Sequence, residues 1–157
     1  MKKLLLLAVA FVAGFTVMAQ SADQFIKVSE KHDFGKIKQG VPVTTYLEIK
    51  NISDKPVVIE NAWAGCGCTT PEVTKEPIAA GASTKIKIGY NAAAMGHFDK
   101  MVNVKLAGVQ DPKLITITGE VLDAAAYDAF AKAEEAKKST SKTSTNAKST
   151  KTKKTNK

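Results

Sequence analysis

The sequence contains no arginine, and it has only two cysteines, two histidines and one tryptophan among 157 residues. Without arginine it lacks the side chain best suited to bidentate phosphate recognition, which disfavours a nucleic-acid-reading function. It has no G-x-S-x-G, H-E-x-x-H or phosphate-loop motif. His32 and Asp33 are adjacent in the sequence, but adjacency alone does not orient two residues for catalysis. These absences predict a protein that is not an enzyme and uses no cofactor.

One long apolar run occurs, from Leu4 to Met18, and two lysines precede it. It is shorter than the roughly 20 residues that a membrane-spanning helix needs, and Val17-Met18-Ala19 offers small residues at a cleavage position. We therefore predict a signal peptide over residues 1–19 and a mature chain that begins at Gln20. The mature chain then has no transmembrane segment and is periplasmic, attached to the cell surface or secreted.

The net charge of +8 comes from the two ends of the chain. The apolar run follows two of the 23 lysines, and eight more lie at or after Lys137, so residues 20–136 carry a net charge of about −2. Residues 139–157 consist of Ser, Thr, Lys and Asn with one Ala, a composition that cannot bury apolar surface and predicts a disordered tail. This basic tail can contact a polyanion such as a surface polysaccharide or anionic lipid, whereas export disfavours nucleic acid.

Short segments of alternating apolar and polar residues, separated by turn residues, fill residues 24–122. The clearest is Val43–Asn51, and the stretch from His32 to Gly40 contains glycines that suit turns. The pattern predicts an all-β, immunoglobulin-like antiparallel β-sandwich of about seven strands. Trp63 ends an apolar strand, so we expect it in the core. The other strand candidates are Phe25–Val28, Val57–Trp63, Thr84–Tyr90, Met95–Leu106 and Leu114–Val121.

Residues 123–138 change from a strand period to a helical one. Asp123 can cap a helix, and Tyr127 and Phe130 share one face of it. We expect a short amphipathic helix that lies against the sandwich or, alternatively, docks a partner.

Both cysteines lie in Cys66-Gly67-Cys68. On an extended strand their Cα atoms would be about 6.6 Å apart, at the far edge of the range for a disulfide, about 4.4–6.8 Å. A Cys66–Cys68 disulfide is therefore feasible, with Gly67 free to tighten the backbone, but strained. A loop of three residues stabilises the fold by only about 1.6 kcal/mol in the chain-entropy estimate.

Three roles for this pair stay open. The first is a local bridge or half-buried thiol pair that shapes a strand end, and the second is a redox site that exchanges disulfides. The third is a metal site, for which copper(I) with Met95 or Met101 suits Cys66 and Cys68 better than zinc, because their spacing is short for zinc. A zinc site would also need both histidines, His32 and His97, which we expect to be ordinary turn or surface residues.

Several stretches of the chain resemble one family. They are His32-Asp33-Phe34-Gly35, Tyr46-Leu47-Glu48-Ile49-Lys50-Asn51, Cys66-Gly67-Cys68-Thr69, Gly119-Glu120-Val121 and the turns at Gly40 and Gly81. Together they resemble the bacterial domain of unknown function 1573 family (DUF1573) over about residues 25–122. The resemblance implies an exported Ig-like domain, similar in turn to Ig-like modules of cilium and sperm proteins, and it implies no established activity.

The leading hypothesis is an exported, non-enzymatic Ig-like module that binds or scaffolds an unknown envelope or surface protein. The alternative is a thiol–disulfide redox or copper(I)-handling protein that uses Cys66 and Cys68.

Overall fold

The computed structural model describes residues 20–142, and within them eight strands form two four-stranded sheets that precede one helix. A short 3-10 helix, Ala22–Gln24, comes before the first strand. The predicted Ig-like β-sandwich is confirmed. The elements are β1 (Ile26–Lys27), β2 (Lys31–Lys38), β3 (Val43–Asn51), β4 (Ile59–Ala64), β5 (Thr69–Glu72), β6 (Ser83–Tyr90), β7 (Gly96–Leu106), β8 (Lys113–Leu122) and α1 (Ala124–Lys142).

The first sheet has the strand order β1-β3-β6-β5 and is antiparallel throughout. The second has the order β2-β8-β7-β4, and its edge strand β2 runs parallel to β8. The sandwich is therefore mixed, where the sequence pattern predicted antiparallel strands only. The difference arises because β2 pairs with β8, the last strand among residues 20–142, and alternation within one segment cannot reveal such a non-local pairing.

Two strands lie where no strand was predicted. The glycine-containing stretch read as turns is β2, and Gly35 occupies an irregularity between Asp33 and Lys36 with a φ of +66°. The other is β5, which contains Pro71. A proline is tolerated there because β5 is an edge strand, where one side of the ladder is unpaired.

The core lies between the sheets and consists largely of β-branched side chains. Register places Leu47 opposite Ile86 in the first sheet and Val102 opposite Ile115 in the second, and all four are buried. The rings of Tyr90 and Phe98 stack at 4.0 Å between centroids and join β6 to β7. Each such side chain stabilises the fold by about 1.5–3 kcal/mol on burial.

Helix α1 begins after Asp123, whose Oδ1 accepts a hydrogen bond from the backbone N–H of Ala126 at 2.8 Å. Lys38 Nζ lies 3.0 Å from Asp128 Oδ1, and Lys36 Nζ lies 5.1 Å from the ring centroid of Phe130. The start of the helix therefore contacts β2 at the edge of the second sheet.

The helix was expected over residues 123–138 and extends to Lys142, so the first four residues of the predicted tail are helical. The rest of that tail, residues 143–157, and the predicted signal peptide, residues 1–19, lie outside the described residues. In residues 20–142 no helix is both long enough and apolar enough to cross a membrane.

Candidate interaction surface and disulfide turn

The outer face of the second sheet carries three exposed apolar side chains near β4. Register places Trp63 opposite Asn103, and Asn103 opposite Leu114, in one row across β4, β7 and β8. Met101 lies on the same face of β7, two residues from Asn103. Trp63, Leu114 and Met101 are 41%, 51% and 58% exposed, and we call these three residues the apolar patch.

The prediction that Trp63 belongs to the core is wrong, and a β-bulge explains why. Ile59 pairs with Leu106 and Asn61 pairs with Lys105, so Glu60 is an extra residue without a partner on β7. Ile59 points into the core, and the extra residue shifts the alternation by one. Ala62 and Ala64 consequently face inward, while Trp63 faces solvent.

The other end of the same sheet face is charged. Asp33 and Asp99 flank Thr118 on either side, and Lys36 and His97 flank Glu120 in the next row. Lys36 Nζ lies 4.0 Å from Glu120 Oε2. The apolar patch is thus confined to the end of the face next to β4.

Cys66 and Cys68 are joined by a disulfide in the turn between β4 and β5. The Cα atoms are 5.3 Å apart, less than the 6.6 Å expected for an extended strand, because the backbone turns here: the N–H of Thr69 donates to the carbonyl of Cys66 at 3.3 Å. We call residues 65–68 the disulfide turn. It carries the chain from the second sheet to the first.

The two sulfurs have unequal surroundings. Cys68 packs against the core cluster, and its carbonyl accepts a hydrogen bond from the N–H of Asn91 at 3.0 Å. Cys66 is half-buried but is not among the residues packed on the core. The hydroxyl of Thr69 lies 3.8 Å from both sulfurs, so it can donate to either one as a thiolate.

The two histidines that a zinc site would need lie on different strands and in different rows of the second sheet. His32 lies on β2, at the opposite edge of the second sheet from β4, with its ring 4.7 Å from that of Phe34. His97 pairs with Glu120 at the charged end of the face. Among residues 20–142 no group of three or more His, Cys, Asp or Glu residues could hold a metal ion. Met101 belongs to the apolar patch and Met95 is exposed just before β7.

A cluster that the sequence analysis missed surrounds Lys113, which is 7% exposed. Its Nζ pairs with Asp23 and lies 2.5 Å from Glu30 Oε1, in a cleft of about 400 Å³. The hydrogen bond from Lys113 lowers the pKa of Asp23. Burial lowers the pKa of Lys113, but its hydrogen bonds to Asp23 and Glu30 outweigh burial and raise it overall. Lys113 thus bridges two carboxylates, and these contacts tie the N-terminal segment to β8.

The model of the family described as "Protein of unknown function (DUF1573)" matches residues 26–121. The chain belongs to the DUF1573 family. This confirms the resemblance drawn from the Cys-Gly-Cys-Thr element and its neighbours, and the description of the family states no activity. A search of curated proteins found no match.

Among solved structures, this DUF1573 chain is similar to a protein of unknown function from Porphyromonas gingivalis, with 17% identity and a TM-score of 0.53. The match covers 68% of this chain and 51% of the other, so the chain spans about half that protein's length. It is also similar to an ASH / PapD-like domain of human CEP192, with 10% identity, a TM-score of 0.54 and coverage of 72% and 94%. A third match is the secreted serine protease VesC from Vibrio cholerae, with 16% identity, a TM-score of 0.52 and coverage of 64% and 24%. At these identities the likeness shows the fold alone.

Proposed function

We propose that this DUF1573 protein is an exported, non-enzymatic binding module that holds another envelope or surface protein against its apolar patch. The observation that carries the proposal is the exposure of Trp63, Met101 and Leu114 around Asn103 on one sheet face. Aromatic and methionine side chains are enriched at protein interfaces, and tryptophan is enriched among the residues that dominate binding energy. The three side chains of the apolar patch do not contribute to the core, because other residues fill the inward positions of these strands.

Export is supported by the leader-like residues 1–19 and by the disulfide, which persists in oxidising compartments. Intact mass of the protein recovered from the envelope or medium tests this part. We expect a mature species that begins at Gln20. A membrane-associated species that retains Met1 would contradict cleavage.

The binding proposal is tested by capture from the envelope with the tagged full-length chain, followed by mass spectrometry. Trp63→Ser removes the largest apolar side chain of the patch. The matched control is Tyr46→Ser, because Tyr46 is an aromatic residue that is 62% exposed on the outer face of the other sheet. We expect at least one protein to be retained by the wild type and by the Tyr46 variant but lost with Trp63→Ser. Identical captured sets for all three proteins would sink the proposal.

A second candidate function, thiol–disulfide exchange, is favoured by the unequal surroundings of the two sulfurs. A thiolate of a dithiol reductant would attack Sγ of Cys66, forming a mixed disulfide and releasing Cys68 as a thiolate that accepts a hydrogen bond from Thr69. The second thiol of the reductant then attacks the reductant's sulfur in the mixed disulfide and releases Cys66 as a thiolate. The reductant leaves as a disulfide, and two electrons and two protons have passed to Cys66 and Cys68.

Equilibration with glutathione or dithiothreitol buffers and mass-tagging of free thiols decides between the two candidates. A reduction potential near −200 mV supports exchange, whereas one well below about −300 mV marks a structural bridge. Addition of copper(I) to the reduced protein tests the copper-handling variant of this candidate. Stoichiometric binding that disappears in a Cys66→Ser, Cys68→Ser protein would support it.

A further inference from the structure

The four edge strands of the described sandwich differ in how well they are protected from pairing with an additional strand. β1 has only two residues, β5 contains Pro71, and β2 carries three lysines and is contacted by α1. Short length, proline, lysine and a covering helix are devices by which proteins block unpaired edges. β4 has neither lysine nor proline, and its only irregularity is the bulge at Glu60 near its start. The stretch Asn61–Ala64 is therefore the least protected edge.

The backbone of β4 presents hydrogen-bonding groups to solvent. The N–H of Ala62 donates to the side-chain Oδ1 of its own neighbour Asn61 at 2.9 Å, so it points away from β7. Backbone groups in a strand alternate between its two sides, so the N–H of Ala64 points the same way. The side-chain amide of Asn61 thus occupies the N–H of Ala62, which an incoming strand would use as a donor. Displacement of that side chain would free the N–H for the added strand.

The side chains around this edge suit an extended peptide. Ala62 and Ala64 face inward, are small and half-buried, and belong with Cys68 and Val73 to the apolar rim of the core. Inward side chains of an added strand would lie beside this rim, and its outward side chains would lie beside Trp63 and so extend the apolar patch. Glu60 is exposed and makes no ion pair within residues 20–142, so it favours a cationic residue next to it.

We propose that β4 binds an extended segment of the partner protein by strand addition, with apolar residues at every second position and a lysine or arginine near Glu60. The inference rests on the proposed binding function and names the form of the partner. Main-chain hydrogen bonds to Ala62 and Ala64 supply the affinity, and alternate side chains supply the specificity. A second copy of the chain is the weaker occupant, because two regular edges of four residues fall short of the roughly 800 Å² per partner in a stable interface.

The probe is a synthetic eight-residue peptide of alternating valine and threonine with a lysine at its C-terminal end, titrated against the folded full-length chain. Emission of Trp63, the single tryptophan of the chain, reports binding, and two-dimensional NMR identifies the amides involved. The control peptide has the same composition with the valines adjacent to one another. We expect a blue shift of the emission, together with protection of the Ala62 and Ala64 amides from hydrogen exchange. No binding, or equal binding of the control peptide, would overturn the proposal.

Three variants test the mechanism. Ala62→Pro removes an N–H that the β4–β7 ladder does not use, and we expect about tenfold weaker binding, the effect of one lost hydrogen bond to a strand. Asn61→Ala releases the same N–H from its internal acceptor, and we expect binding a few fold tighter. Glu60→Gln should weaken binding about threefold, the scale of an exposed ion pair. Because the first two variants move binding in opposite directions, the test still holds if the proline variant does not fold.

The outcomes separate this inference from the proposed function. If Trp63-dependent capture persists in Ala62→Pro, strand addition is wrong and the binding module stands. If capture never depends on Trp63, the proposed function fails whatever the peptide does. A concentration-dependent dimer that disappears in Ala62→Pro would show that the strand added to β4 comes from a second copy of the chain, and it would overturn the assignment to a partner protein.

Discussion

The outer faces of the two sheets differ near their edges, although their inner faces are alike. On the first sheet Tyr46, Lys87 and Glu72 form a row, and Lys87 Nζ lies 2.9 Å from Glu72 Oε1. The hydrogen bond to Glu72 raises the pKa of Lys87. On the second sheet the corresponding region near the edge is the apolar patch. Burial in the core accounts for the apolar inner faces of both sheets but not for the apolar patch on the outside.

The largest expected effect contrasts two glycines, one in each sheet. A Cβ at Gly119 in β8 would lie 2.7 Å from ring atoms of Phe98 and 2.9 Å from the carbonyl oxygen of Gly35, whereas one at Gly89 in β6 meets nothing closer than 3.8 Å. We expect Gly119→Ala to lower the free energy of unfolding by about 3 kcal/mol through overpacking. Gly89→Ala should change it by less than about 1 kcal/mol. Urea denaturation measures both, and equal midpoints would contradict the close contact at Gly119.

The next effect compares a buried lysine with an exposed one. Lys113→Ala removes a buried aliphatic stem and separates Asp23 from Glu30, and we expect a loss of about 2 kcal/mol in the free energy of unfolding. Lys87→Ala on the first sheet removes an exposed partner of Glu72, and we expect no measurable loss. Thermal unfolding at neutral pH provides the comparison. A loss as large for Lys87 as for Lys113 would show that the first sheet's charged face contributes to folding.

Reduction of the Cys66–Cys68 disulfide should lower the free energy of unfolding by at most about 1.6 kcal/mol, because the loop it closes has three residues. Denaturation with and without dithiothreitol measures this loss. Replacing both cysteines by serine should cost more than reduction, since Cys68 packs on the core and a hydroxyl there would lack a partner. A collapse of the fold on reduction would show that the disulfide turn anchors both sheets.

The pH dependence of stability should be smaller than the effect of replacing Lys113. The pKa of Asp23 is lowered in the fold, so its contribution is present above the unfolded pKa of about 4 and is lost as the pH falls through the folded pKa. The pKa of Lys113 is raised, so its contribution is present below about 10.4 and is lost as the pH rises through the folded pKa. Unfolding midpoints across pH should therefore fall at both extremes, and less steeply in Lys113→Ala. Identical profiles for the two proteins would contradict the coupling.

The smallest effect on stability is expected when the exposed aromatic residue on the outer face of each sheet is replaced. Trp63→Ser and Tyr46→Ser should each change the free energy of unfolding by no more than about 0.5 kcal/mol, since both side chains are exposed. Chemical denaturation checks this for the same variants used in the capture experiment. A loss of several kcal/mol for Trp63→Ser would mean that Trp63 supports the fold and would weaken its assignment to a binding surface.

Much of the fold is predictable from local pattern. Alternation identified β3, β6, β7 and β8, and the turn residues between them indicated a sandwich. The strands that were missed, β2 and β5, contain Gly35 and Pro71, residues that local rules assign to turns and that edge positions tolerate. For the candidate site, the sequence drew attention to Cys66 and Cys68 but not to Lys113, because its partners Asp23 and Glu30 lie 90 and 83 residues away.

The sequence by itself determined the class of fold, the family and the pair of cysteines, because each depends on short-range spacing and residue type. Tertiary structure alone decided which sheet each strand joined and that β2 lies parallel to β8, since pairing is non-local. It also decided the orientation of Trp63. One unpaired residue, Glu60, reverses the alternation of β4, turns two alanines toward the core and places the only tryptophan of the chain on the surface.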